Sequence, residues 1–217
     1  MNTYTELKPI PADETFNFEC KSCGDCCRDI RSQVMIESLD LFNIAKHLKL
    51  EIAEAAEQYT EVALLCWGAP VLMLKTKIIG DVCVFLKSGK CEIQQAKPRA
   101  CRLYPLSMGP DKNNLSNVLV FKSTEKSFHY KGQTHVAGEW VADNMDSESH
   151  AYVITEYRLL RELGNVLRLI AREREYEVNN LMLMYRYFLF DTEKNFMLQY
   201  VKNMAQLKKE LEKLIKF

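Results

Sequence analysis

Four cysteines fall within eight residues, Cys20-Lys21-Ser22-Cys23-Gly24-Asp25-Cys26-Cys27, at the spacing C-x-x-C-x-x-C-C. Two successive C-x-x-C steps let thiols at i, i+3 and i+6 meet at one point if the backbone wraps around it. Gly24 relieves the steric limit where such a loop turns tightly. Thiolates gathered this closely repel one another unless a cation sits among them, so the stretch reads as a metal or cluster site. Three further cysteines, Cys83, Cys91 and Cys101, form a looser set. They lie within Cys83-Val84-Phe85-Leu86, Lys90-Cys91-Glu92-Ile93 and Lys97-Pro98-Arg99-Ala100-Cys101-Arg102-Leu103-Tyr104-Pro105.

Thiolates are soft ligands, suited to zinc or to iron–sulfur clusters. A structural tetrahedral zinc site consumes four. Seven are on offer here, which implies either two centres or one four-ligand centre with further thiols beside it. Adjacent side chains point apart in extended backbone, so Cys26 and Cys27 are expected to reach two metals or two corners of a cluster. The run approximates the ferredoxin pattern C-x-x-C-x-x-C-x-x-x-C-Pro but lacks its remote fourth cysteine and proline; Cys83, Cys91 or Cys101 can complete the shell instead. Lys21, Arg28, Arg31, Lys87, Lys90, Lys97, Arg99 and Arg102 flank the cysteines. Some can donate to sulfur, although solvated surface charge is the commoner role for any one of them.

These motifs resemble the YkgJ-type cysteine-cluster proteins, described as zinc- or iron-chelating domains. The likeness rests on C-x-x-C-G-x-C-C, on Cys83-x-Phe85-Leu86 before Cys91-x-Ile93, and on Lys97-Pro98-x-x-Cys101-Arg102-x-Tyr104-Pro105. Lys97-Pro98 stands where family members usually carry Arg-Pro. The resemblance implies metal binding by Cys20, Cys23, Cys26, Cys27, Cys83, Cys91 and Cys101. Flagellin lysine N-methylase is similar in this motif, which implies an iron–sulfur centre of the [4Fe–4S] type; zinc is the alternative.

Other residues carry less. Cys66, beside Leu65 and Trp67, lies outside the family pattern and reads as a small buried hydrophobe. His129 falls where relatives often have another cysteine and can serve as a ligand, but an ordinary loop histidine is the commoner case; His47 has no partner at useful spacing. Asp25 and Glu92 adjoin cysteines without any sign of a substrate, and Tyr104 reads as packing. No phosphate loop, dinucleotide fingerprint, nucleophile elbow or radical-enzyme C-x-x-x-C-x-x-C is present. The sequence assigns no catalytic residue and leaves the question of an enzyme open.

The elements that must position these cysteines point to an α+β fold, mainly helical. A small cysteine-rich β/loop region holds the metal site against helices, and the C-terminal half is helical. A single domain over 1–217 is expected, with a metal-binding region at 16–105 and a helical extension at 138–217. Phe16 and Phe18 begin a short strand, 34–36 another. Ser38 caps a helix carrying Leu39, Leu41, Phe42, Ile44, Ala45 and Leu48, and a second helix runs over 52–62. Residues 70–79 form a strand that Gly80-Asp81 turns back onto 82–86, with Ser88-Gly89 as the next turn. Residues 94–96 make one helical turn, 98–105 a rigid irregular stretch presenting Cys101, and 117–122 a strand. Helices follow over 139–174 and 177–217, with breaks at Gly164 and 143–149. Their stripes are Leu181, Met184, Tyr185, Phe188 and Leu189, then Leu207, Leu211, Leu214 and Ile215.

Lysine plus arginine and aspartate plus glutamate each number 29, so no nucleic-acid or membrane partner is implied. No signal peptide is expected from the opening residues, and the apolar stretch at 181–190 is broken by Arg186, short of the ~18 residues of a span. The expectation is a cytoplasmic, iron–sulfur or zinc protein in which reduced cysteines bind metal rather than pair as disulfides. Its role is redox or methyl-transfer-related with a redox partner, or a structural zinc module that mediates protein interaction, or metal storage and delivery. Oligomeric state is left open.

Overall fold

The structure is a computed structural model that describes residues 9–65, 68–111, 113–114, 117–122 and 130–216. In chain order its first elements are β1 (Pro9–Ile10), β2 (Thr15–Asn17), β3 (Met35–Ile36), α1 (Ser38–Leu48), α2 (Ile52–Tyr59), β4 (Thr60–Leu64) and β5 (Pro70–Leu74). Then come β6 (Leu86–Lys87), β7 (Lys90–Cys91), α3 (Arg99–Leu103), β8 (Leu106–Pro110), β9 (Val118–Lys122) and β10 (Thr134–Val136). The last are α4 (Ala137–Asn144), α5 (Ser147–Leu167), α6 (Glu175–Leu183) and α7 (Phe196–Lys213). With seven α-helices and several small sheets among the described residues, the class is α+β.

The chain forms two compact units. One joins the described residues up to Cys23 with Arg99–Tyr157, the other joins Gly24–Pro98 with the residues from Arg158 onward, so the division falls within α5.

In the first unit an antiparallel sheet has the order β1-β9-β8, and β10 pairs with β2 so that His135 lies opposite Phe16. Phe16, Phe18, Leu106 and Ala137 form its buried centre, with Tyr104, Tyr130 and Trp140 packed around them. Trp140 meets both phenylalanines edge-on, at 5.7 Å and 5.5 Å between ring centroids. The indole N–H donates to the Leu103 carbonyl at 3.0 Å. That anchors the end of α3, a short helix where the bracketing prolines suggest irregular backbone. Pro98 just before it is compatible with a helix start, where a missing N–H costs nothing.

In the second unit β5 is buried along its whole length and pairs antiparallel with β3 on one edge and β4 on the other. Both edges being taken, the expected hairpin of 70–79 with 82–86 reduces to a single bridge between Thr76 and Cys83. α2 is shorter than the sequence suggests. Thr60 closes its last turn by donating its hydroxyl to the Ala56 carbonyl at 2.8 Å, and Thr60–Leu64 continues as strand. α1 begins as expected, but its cap is Glu37, whose N–H donates to the Asp40 carboxylate at 3.1 Å; Ser38 is already helical and buried.

The C-terminal helices differ in phase. α6 runs directly into a π-helical turn, Met184–Phe188, and the extra residue per turn rotates the inward face. Met182, Arg186 and Tyr187 are buried, while Met184 and Leu189 of the expected stripe are exposed. α7 buries Phe196, Tyr200, Met204, Leu207 and Leu211, a regular helical stripe. Gly164 does not interrupt α5, whereas the break before it falls at Met145 and Asp146.

Candidate metal centre

Gly24 stands in the left-handed region at φ 74° and opens a one-turn 3-10 helix, Asp25–Cys27. The Cys27 N–H closes that turn on the Gly24 carbonyl at 3.0 Å. A Cβ on Gly24 would come within 3.0 Å of the Leu86 side chain, so glycine serves both the φ angle and the close approach of the loop to β6. β6 and β7 form a hairpin that sets Leu86 opposite Cys91. Its turn, Ser88-Gly89, has φ 48° and 77°, both positive as a two-residue hairpin demands. Cys83 enters through the backbone: its N–H donates to the Cys27 carbonyl at 2.8 Å.

The outcome is a group of four cysteines within one unit. The sulfurs of Cys26 and Cys27 lie 3.9 Å apart. The Cys26 thiol, by its hydrogen bond, lowers the Cys27 pKa, but a hydrogen bond with Cys83, burial and like charge at Cys83 and Cys91 outweigh it and push it up to about 11. The Cys91 thiol is likewise raised, by burial first, with a contribution from charge at Cys26, while the Lys97 ammonium acts in the opposite sense. Cys83 is buried, Cys27 and Cys91 are half-buried, and Cys26 is exposed. The expectation that adjacent cysteines point apart rested on extended backbone; the 3-10 turn removes it.

Soft thiolates crowded until they disfavour their own ionisation form a donor set that fits a soft cation. Among the described residues, however, no three Cys, His, Asp or Glu side chains converge on a single metal position. Proximity is present without convergence on one position.

The other three predicted ligands belong to the first unit. Cys20 and Cys23 are exposed and flank Ser22, itself at φ 51°. Cys101 lies in α3 and is half-buried. Next to Cys20, Glu19 leaves no room for a side chain at residue 132: a Cβ on Gly132, at φ 95°, would fall 2.4 Å from the Glu19 Cβ. His129 and Cys66 lie outside the described residues. His47 and His150 are exposed, and the ring of His135 is bound through Nε2 to the Phe18 carbonyl at 2.9 Å.

Most of the flanking charges are engaged with neighbours other than sulfur. Lys21 pairs with Glu19, Arg31 with Asp81, and Lys87 with Glu92, at 2.7, 2.7 and 2.5 Å. Arg28 reaches Asp25 at 3.9 Å, and Arg102 donates to the Ser149 hydroxyl at 3.1 Å. Asp25 and Glu92 are thus ion-pair partners at the surface, where such pairs contribute about 0–1 kcal/mol. What the sequence did not reveal is the grouping itself. The repeat of C-x-x-C draws Cys20, Cys23 and Cys26 together on paper, whereas the fold associates Cys26 with Cys27, Cys83 and Cys91.

Residues 19–133 match the CxxCxxCC family, described as a "Putative zinc- or iron-chelating domain", and the chain belongs to that family. An uncharacterized protein of Methanocaldococcus jannaschii, MJ0661, is similar to it, 31% identical over 93 residues. That stretch is 42% of this chain and 46% of the relative, so the match covers less than half of either. No solved structure matches the chain. Among the described residues no helix is long and apolar enough to cross a membrane.

Proposed function

We propose that the chain binds a single soft metal ion, iron or zinc, on the thiolates of Cys26, Cys27, Cys83 and Cys91. The observation that carries this reading is the 3.9 Å between the Cys26 and Cys27 sulfurs. Two thiolates ~2.3 Å from one tetrahedral metal sit ~3.8 Å apart, so adjacent cysteines in this turn suit one edge of a single coordination tetrahedron. When bound, zinc would staple the loop to the hairpin, and iron would add the capacity to move one electron. The protein's own part is to hold the sulfurs. Gly24 permits the turn, the Cys83 N–H fixes its segment to Cys27, and the Ser88-Gly89 turn carries Cys91. Lys97 offsets part of the negative charge near Cys91.

A second reading is a [4Fe–4S]-type cluster with a redox or methyl-transfer-related role and a redox partner in the cytoplasm. It is favoured by the number of thiols, since Cys20, Cys23 and Cys101 add to the four. In a structural zinc module, by contrast, the helices would serve a protein partner.

The test is purification without oxygen, with an absorption spectrum and iron, zinc and acid-labile sulfide quantified on one sample. Stoichiometric metal without sulfide supports the single-ion centre. Iron and sulfide in comparable amounts, with broad visible absorption, overturn it in favour of the cluster. Protein without iron or zinc rejects both.

A further inference from the structure

β4 is an outer strand of the β3-β5-β4 sheet. Its register with β5 sets Glu61 opposite Met73 and Ala63 opposite Val71. The Lys75 N–H donates to the Tyr59 carbonyl and the Leu65 N–H to the Ala69 carbonyl, both at 2.9 Å. These bonds extend the ladder at either end, and ladder bonds fall on every second residue of an antiparallel strand. Glu61 and Ala63 therefore turn their backbone groups toward β5, while Val62 and Leu64 turn theirs outward. The side chains of Val62 and Leu64 are exposed as well, at 56% and 60%. Natural sheet edges are blunted by proline, lysine or a bulge. β1 carries Pro9 and β8 ends on Gly109-Pro110. β4, Thr-Glu-Val-Ala-Leu, has neither proline nor lysine, and its continuous register leaves no bulge.

We infer that β4 pairs antiparallel with β4 of a second copy of this chain, joining two sheets across a two-fold axis. The outward groups select the register. The Thr60 N–H is already given to the Ala56 carbonyl, so the donors on offer are those of Val62 and Leu64. Setting Val62 of each copy opposite Leu64 of the other uses all of their N–H and C=O groups. It also lays the exposed apolar side chains against each other on one face of the joined sheet. On the opposite face Ala63 meets its own counterpart at the axis, and Glu61 lies opposite Leu65. A register centred on Val62 would need the Thr60 N–H, and one centred on Glu61 would set like charges opposite each other. The contact is isologous and closes at two copies. It makes no use of the cysteines, so it stands apart from the proposed metal centre.

Sedimentation of the full chain over a range of concentrations should show a reversible monomer–dimer equilibrium. V62K/L64K, which places charge on the exposed edge, should sediment as monomer throughout while keeping the wild-type circular dichroism spectrum. A63C reads the register. As a non-hydrogen-bonded pair its Cα atoms would lie about 4.5 Å apart across the axis, within reach of a disulfide. Oxidised glutathione should therefore link the two introduced thiols, as mass spectrometry of the peptides reads. In E61C the introduced thiols would lie ~14 Å apart along the strands and should not link to each other. A wild type that stays monomeric overturns the inference, as does a dimer that survives V62K/L64K. Linkage of E61C as readily as A63C would overturn the pairing on which it rests.

Discussion

The backbone N–H of Cys83 donates to the carbonyl oxygen of Cys27 at 2.8 Å, joining a buried thiol to a half-buried one across two distant parts of the sequence. A backbone bond of this kind survives replacement of either side chain, so serine at Cys27 or Cys83 removes a sulfur without removing the loop's attachment. We expect Cys27→Ser and Cys83→Ser to fold but to retain little metal by elemental analysis. A ligand present at 100 times its Kd stabilises the state it binds by about 2.7 kcal/mol. A chelator should therefore lower the Tm of the wild type and leave that of Cys27→Ser nearly unchanged. Equal shifts in both would reject these thiols as ligands.

Gly24 and Gly89 share a positive φ, 74° and 77°, yet differ in what surrounds them. A Cβ at Gly24 meets Leu86 at 3.0 Å, and one at Gly89 meets nothing within 4 Å. Gly89→Ala should cost only the left-handed conformation, about 1–2 kcal/mol. Gly24→Ala should cost at least as much and should also weaken metal binding, because Leu86 must shift beneath the turn that carries Cys26 and Cys27. Urea midpoints and metal content on both variants check this; identical metal content would show that the contact is not felt at the thiols.

Where local chemistry decides an element, the sequence announces it. Ser88-Gly89 tolerates positive φ and gives the expected turn, and the apolar spacing of α1 and α7 gives helices. Where a neighbour decides, it does not. Residues 82–86 look like the partner of 70–79, but β3 and β4 already occupy both edges of β5. The stripe at 181–189 follows a regular α period that the π turn at Met184–Phe188 breaks. The candidate site divides the same way. Spacing singles out Cys20, Cys23, Cys26 and Cys27, and the family resemblance adds Cys83, Cys91 and Cys101, but which of these cysteines lie together depends on a 3-10 turn and an inter-segment backbone bond.

Asp146 caps α5 from the residue before it, accepting the Ser149 N–H at 2.7 Å. Burial raises its pKa, but that bond, the Ser149 hydroxyl and the Arg102 charge outweigh it and hold the carboxyl below its ordinary value. A carboxyl depressed in the folded state stabilises it above the unfolded pKa, and this contribution is lost as pH falls through the folded one. Asp146→Ala should therefore cost about 1 kcal/mol near neutral pH, the usual value of a cap. Its stability difference from the wild type should shrink as pH drops below the ordinary carboxylate range. Thermal melts at several pH values measure it, and a difference that does not change with pH would show that the carboxylate charge contributes nothing.

Phe196 is 2% exposed and stacks on Phe190 at 5.1 Å, with Phe42 of α1 at 5.2 Å and Tyr200 at 5.6 Å. Through it the C-terminal helix packs into the unit that also contains Cys26, Cys27, Cys83 and Cys91. Phe196→Ala should cost about 3–5 kcal/mol, as removal of a buried aromatic ring does. If α7 is integral to that unit, the loss should reach the cysteines: in metal-free protein the buried Cys83 should become more reactive toward an alkylating agent, while the exposed Cys20 and Cys23 react as before. Mass spectrometry of the alkylated peptides distinguishes the cases. A lower urea midpoint with Cys83 still protected would mean that the helices fold onto β5 without supporting the thiol group, and the hairpin alone would then hold it.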